Sequence, residues 1–249
     1  MGSEMCIRDR MKTDEDLLMV SGVIKNYECT RAEASFVLTR NDQRVMEMSA
    51  VANALAGMGG VATSQMANAS NIEEVADYLS FDIDGEKYKG WVWRSPFAEG
   101  DVADVIYRRT INGKELVAIA RPSDRMIALY PHCSRGVLAH WRSVLNAWLI
   151  WVVFLISIVV FTCLGFVLGF TAEIFLDMTN YYILAFLIIF FSAFTINMGF
   201  KLLPFARVAE RVFAALGWGN PSRIDLKKSS KEKRKDGDPG EYGTFYFRY

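Results

Sequence analysis

Histidine, cysteine and proline are scarce in this chain: two, four and six residues among 249. The two histidines, His132 and His140, lie eight residues apart, and no HExxH, GxSxG or Walker-type sequence occurs. His132 and Cys133 are adjacent in PHCSRG, but neighbouring side chains on an extended chain point in opposite directions. They do not share a proton without a turn. Cys6, Cys29, Cys133 and Cys163 form no CxxC pair, and the last sits inside an apolar run, so neither a disulfide framework nor a zinc site is suggested. The sequence predicts no catalytic residue, no metal site and no cofactor. What the chain has in quantity is apolar surface: 52% of its residues are hydrophobic and 13% aromatic, which excludes a disordered or collagen-like chain.

Charge is missing from two long stretches. Ala147–Phe170 (AWLIWVVFLISIVVFTCLGFVLGF) and Tyr181–Phe200 (YYILAFLIIFFSAFTINMGF) contain no Asp, Glu, Lys, Arg or His. At about 1.5 Å per residue each spans a hydrocarbon layer of roughly 30 Å. Buried core helices of soluble proteins are usually shorter and carry a polar stripe, so the runs read as a transmembrane hairpin. A proton relay, an ion-coupled transporter or a voltage sensor lacks the ionisable groups it needs here. The connector Thr171–Asn180 carries Glu173 and Asp177, whereas Arg135, Arg142, Lys201, Arg207 and Arg211 flank the pair. The positive-inside rule then places both termini in the cytoplasm and the connector outside. Trp141, Trp148, Trp151, Tyr181 and Tyr182 stand where interfacial anchors belong. Gly165 and Gly169 have GxxxG spacing, and Ser192, Thr195 and Asn197 can hydrogen-bond between helices. These residues suit packing within one hairpin, a polar lining or a seam with a second copy of the chain.

Residues 1–10 (MGSEMCIRDR) resemble a translated sequencing adapter and are set aside. No apolar run of signal-peptide length precedes Met11. The neutral total charge hides two opposed segments. Met11–Ser134 holds 13 basic and 18 acidic residues, and Lys201–Tyr249 holds 11 basic and 6 acidic.

The segment 11–134 alternates with period two. Strands are expected over Leu17–Asn26, Ala34–Thr39, Tyr78–Ile83, Tyr88–Trp93, Asp104–Arg109, Leu116–Ala120 and Arg125–Tyr130. Asp84-Gly85 and Asn112-Gly113 are hairpin signals, because such pairs reach positive φ at little cost. Two tight hairpins predict a small β-barrel resembling OB or SH3-like folds, with residues 45–70, rich in Ala, Gly, Met and Ser, as an insertion. An acidic domain without a basic face is not a nucleic-acid binder, and Trp91 and Trp93, on one face, read as core aromatics.

Beyond the second run, Lys201–Leu216 places Phe205, Val208, Val212 and Leu216 on one face and predicts a juxtamembrane amphipathic helix stopped by Gly217. The division is therefore a soluble domain (11–134), a membrane region (135–217) and a basic, aromatic cytosolic tail (218–249). The fold class is an α+β membrane protein. In the tail, Lys227, Lys228, Lys231, Lys233, Arg234 and Lys235 are candidates for contact with lipid headgroups, each worth up to about 1 kcal/mol near an anionic leaflet. The aromatic end, GEYGTFYFRY, has the alternation to add a strand to another element.

The stretches VSGVIKNYECTR, GWVWRSPFAEGD, AIARPSDRMIALYPHCSRG, GWGNPSRIDL and DPGEYGTFYFRY together resemble a family of bacterial membrane proteins described as type VI secretion system effectors. The resemblance covers nearly all of residues 11–249. It implies a protein of a double-membraned bacterium, with a secretion-machine component or an immunity protein as partner beside the lipid bilayer. It implies no catalytic residue. Two expectations follow: a non-enzymatic effector that disrupts or depolarises the inner membrane, or a resident inner-membrane accessory protein whose cytosolic barrel and basic tail bind a partner or lipid.

Overall fold

The computed structural model describes residues 17–34, 36, 74–111, 113–167 and 178–249. The adapter-like residues, the 45–70 insertion and most of the acidic connector lie outside them. The architecture is mixed α+β, with an open eight-stranded sheet and two long apolar helices. Along the chain come β1 (Leu18–Val23), β2 (Lys25–Ala34), β3 (Glu74–Ile83), β4 (Glu86–Val92), β5 (Val102–Thr110), β6 (Gly113–Arg121) and β7 (Met126–Leu129). They are followed by α1 (Val137–Val167), α2 (Met178–Ala215), α3 (Leu226–Glu232) and β8 (Tyr246–Arg248).

The hairpins form where turn chemistry places them. Asp84 and Gly85 both have positive φ (52° and 79°), as a type I′ turn requires, and Ile83 pairs with Glu86 across it. The β5–β6 hairpin closes with Thr110 opposite Gly113. The sheet order is β1-β5-β6-β4-β3-β2, with β7 on β6 and β8 on β7. Every pairing is antiparallel except β4–β6, a short parallel contact of Tyr88 and Lys89 with Lys114 and Glu115.

The expected closed barrel does not form. A barrel closes when its first and last strands hydrogen-bond to each other. Here the ends of the path, β1 and β2, are consecutive along the chain and separated by Ile24 alone, so one continues into the other. Asn26, at φ 51°, and a register shift between Lys25 and Glu28 redirect the chain from one end of the sheet towards the other. Of the strand expected at 34–39, all but Ala34, where β2 ends, and Phe36 lies outside the described residues. Among the described residues β2 pairs with β3 alone, and most of its residues are exposed, so no period-two hydropathy marks it. The core gathers Ile24, Leu79, Phe81, Tyr88, Val105 and Ile119.

The C-terminal residues are part of this unit. β8 lies antiparallel to β7, with Met126, Ile127 and Ala128 opposite Arg248, Phe247 and Tyr246, and the Tyr249 N–H donates to the Arg125 carbonyl at 3.0 Å. Described residues up to Gly136 and residues Pro204–Tyr249 form one compact unit, and Val137–Leu203 form another.

α1 starts ten residues ahead of Ala147, and α2 runs unbroken through the segment expected as a separate amphipathic helix. Phe205, Val208 and Val212 of that segment are buried, so its apolar face is used as the pattern implies. Gly217 ends the helix at φ 73°. Its N–H donates to Ala214 and that of Trp218 to Phe213, the double bond of a Schellman motif, and the Trp218 ring stacks on Phe213 at 5.4 Å. Pro204, which has no N–H to donate, stands in α2 where the two units divide.

Candidate functional site

The five quoted stretches are scattered through the sequence, and four of them supply side chains or backbone to one place in the sheet unit. β4 ends at Val92, and the Trp93 N–H donates to the Leu129 carbonyl at 3.1 Å, holding Trp93 and Arg94 beside the end of β7. After β7 the chain turns through Tyr130–Cys133, with His132 at φ 66°, and residues 134–136 meet residues 224–226. Leu226 N–H donates to the Ser134 carbonyl and Gly136 N–H to that of Ile224, at 3.0 and 2.9 Å. A Cβ at position 136 would collide with the backbone of Pro221 and Ser222, which is why glycine stands there. The Arg135 Nε–Asp225 Oδ2 ion pair, at 2.9 Å, fastens the same crossing.

Around that crossing the aromatic rings form a continuous bed. Trp93 lies 4.8 Å from the His132 ring and 5.3 Å from Phe245, and His132 lies 5.4 Å from Phe205. His132 Nε2 is 2.8 Å from Glu74 Oε2. Lys227 Nζ sits over the Trp93 ring, 5.6 Å from its centre, a cation–π placement. Arg94 covers Phe245 and pairs with Asp77 and Glu241 at 3.4 and 3.3 Å. Asp77 is itself buried, accepting from Arg31 Nε and from the Ser95 N–H. Burial, and next the nearby Arg135 charge, hold the Lys227 ammonium below the usual lysine range, while Asp225 opposes the shift. Burial also pushes the Cys133 thiol up, which disfavours the thiolate that nucleophilic chemistry needs. Among the described residues no group of three or more His, Cys, Asp or Glu is placed to hold a metal ion.

The six predicted headgroup residues separate into two kinds. Lys227 is half-buried on the aromatic bed; Lys228, Lys231, Lys233, Arg234 and Lys235 are exposed. They belong to a pinned segment, because α3 is capped by Asp225 and Arg248 donates to Ser230 Oγ through its N–H and to the Lys233 carbonyl through its guanidinium. Neither Trp93, His132 and Glu74 nor Phe245 was singled out together by sequence reasoning. Trp93 was expected as a core aromatic and His132 was weighed only beside Cys133, so neither was linked to Glu74 or Phe245.

In the helical unit, Ser192 does what the sequence expects of a polar residue between helices, accepting from Trp148 Nε1 at 2.9 Å. Asn197 is exposed, Gly165 lies in the last turns of α1, and Gly169 lies outside the described residues. The close approach that sequence reasoning missed is at Gly199, where a Cβ would come within 3.2–3.3 Å of Trp141 and Val144. His140 Nε2 meets the Gly199 carbonyl at 2.9 Å, so that nitrogen carries the proton and donates. The tryptophans expected as interfacial anchors also face the neighbouring helix: Trp141 against Phe200 at 5.2 Å and Trp151 stacked on Phe191 at 5.0 Å. Moving up α1 moves down α2, so the pair is antiparallel.

Together these features define an α+β protein whose sheet unit is interrupted by a pair of long apolar helices. No protein family, curated protein or solved structure matches the chain.

Proposed function

We propose that this chain is a two-span protein of the bacterial inner membrane that keeps its sheet unit in the cytoplasm and docks it there on lipid or on a partner. The carrying observation is that the chain leaves one folded unit at Gly136 and rejoins that same unit at Pro204, which an even number of crossings accommodates. The segments Val137–Ile158 and Ala185–Ala215 are long and apolar enough to cross, and only 6% of an apolar 18-residue stretch within each is buried, unlike the core helix of a soluble protein. Flanking basic residues and the acidic connector support the cytoplasmic assignment. The topology is tested by thiol labelling in a background with the native cysteines replaced. Cys introduced at Asp177 is expected to react with an impermeant reagent from the periplasm, and Cys at the exposed Lys235 to stay protected in intact cells. The reverse pattern overturns the orientation.

The family resemblance favours a second reading, a type VI effector whose hairpin enters the inner membrane of a target cell and depolarises it without catalysis. Expression then lowers the membrane potential read by a voltage-sensitive dye, and deletion of residues 147–200 abolishes the effect. Unchanged potential and growth at matched protein level leave the resident docking protein as the reading.

A further inference from the structure

Ser157 and Asn197 both face outward from apolar stretches of the helical unit, and they meet their hydrogen-bonding needs differently. The Ser157 hydroxyl donates to the Val153 carbonyl, one turn back, at 2.8 Å. The Asn197 carboxamide, able both to donate and to accept, makes no hydrogen bond among the described residues. Its place on α2 explains why the hairpin does not supply one. α2 meets α1 through Phe191 on Trp151, Ser192 on Trp148 and Gly199 against Trp141. At about 100° per residue Asn197 stands half a turn round the helix from all three. It shares that averted stripe with Phe186, Phe190 and Ala193, which are likewise exposed, and Phe186 stacks on Phe190 at 6.0 Å.

We propose that two copies of the chain meet in the membrane along this stripe of α2, with the Asn197 carboxamide hydrogen-bonded to Asn197 of the second copy. The inference rests on the two-span reading above and names the partner of its helices. In hydrocarbon an unmet carboxamide is costly, because lipid tails offer neither donor nor acceptor. A second copy is the occupant favoured by complementarity. A carboxamide satisfies another like itself in both senses, whereas an acidic or a basic side chain answers only one half of it. Copies of one chain also cross the bilayer in the same orientation. A two-fold axis along the membrane normal therefore sets α2 parallel to α2 and brings each residue to the depth of its own counterpart. Asn197 then meets Asn197 and not an apolar side chain. Lys201, the first charge beyond it, follows four residues later, about 6 Å along the helix axis, so the contact lies just inside the apolar run. Ala193, one turn further into the run on the same stripe, leaves room for the two helices to approach.

The test uses the full chain with its native cysteines replaced. In membranes of the expressing cells, Ala193→Cys is expected to give disulfide-linked dimers on oxidation with copper phenanthroline. Thr195→Cys, half-buried and one turn before Gly199 on the α1 side, is expected to stay monomeric. Association strength is read by Förster transfer between donor- and acceptor-labelled copies, labelled through Lys235→Cys and diluted into vesicles of phosphatidylethanolamine and phosphatidylglycerol. Asn197→Leu is expected to weaken association about fivefold, and Asn197→Gln to keep it within about twofold. Thermal unfolding of Asn197→Leu and Asn197→Gln side by side separates loss of the seam from loss of the fold. Absence of a dimer at every dilution, equal association of Asn197→Leu and wild type, or equal cross-linking through Thr195→Cys and Ala193→Cys overturns the seam. Cross-linking of Ala193→Cys to a different protein in place of a second copy overturns the choice of partner. Alkaline extraction of the same membranes keeps the two readings apart. A chain that stays in the pellet but is monomeric refutes this inference alone, and a chain released into the supernatant refutes the membrane reading.

Discussion

The sheet unit and the helical unit bury opposite kinds of surface. In the sheet unit apolar side chains such as Leu79, Phe81 and Ile119 are fully buried, and the charged Asp77 and Arg108 enter only with paired partners. In the helical unit Ile150, Phe154, Phe161, Phe186 and Ile189 face outward, while His140 and Ser192 direct their polar atoms between the helices. One chain therefore follows the rule for water in one region and its inverse in the other. An exposed apolar surface of this kind marks contact with a membrane or a partner, which is why the contrast supports the proposed membrane reading.

The largest expected effect comes from emptying a polar position in the water-type core. Asp77→Ala leaves Arg31, Arg94 and the Ser95 N–H without their shared acceptor, and a loss of about 3 kcal/mol is expected in denaturant unfolding followed by a probe in the sheet unit. An unchanged midpoint would show that water replaces the carboxylate and that this core is wetter than its burial implies.

A second comparison places one substitution on two outward-facing isoleucines. Ile150 is 69% exposed and Ile111 fully exposed, so a protein in water would treat lysine at either position alike. If the helices face lipid, Ile150→Lys costs about 3 kcal/mol of insertion, whereas Ile111→Lys changes stability by less than about 0.5 kcal/mol. Membrane-fraction yield against total protein reads the first and thermal unfolding the second. Equal tolerance at both positions would erase the distinction between the units.

The smallest effect sharpens the contrast within the helices. Ser192→Ala removes the acceptor of Trp148 Nε1, a loss of about 0.6 kcal/mol if the pair lies in lipid, where interhelical hydrogen bonds are individually modest. Unfolding of the reconstituted chain in graded detergent mixtures measures it. A loss of several kcal/mol would mean that this bond organises the hairpin and that Trp148 anchors the helix pair rather than the interface.

Features set by local chemistry are legible in the residues themselves. Asp84-Gly85 specifies its turn because the requirement, positive φ at two successive residues, is met within the dipeptide; Gly217 ends α2 for the same kind of reason. The uncharged runs announce two long apolar helices because composition alone decides whether a helix tolerates lipid. β2 was illegible because an exposed edge strand has no buried face to impose alternation, and sheet closure was illegible because hairpin signals describe neighbours and not the two ends of a path. The exposed lysines at 228, 231, 233 and 235 look the same in sequence as Lys227.

Thus the sequence by itself determined the turns, the helix stop, the apolar runs and the opposed charge of the flanking segments, each set by residues a few positions apart. Tertiary structure alone decided that the sheet stays open, that the aromatic C-terminus pairs with β7, and that Trp93, His132, Arg135 and Lys227 share one place. The physical reason is separation along the chain: those contacts join residues many tens of positions apart, and their stability comes from burial and charge compensation that exist only once the distant segments have met.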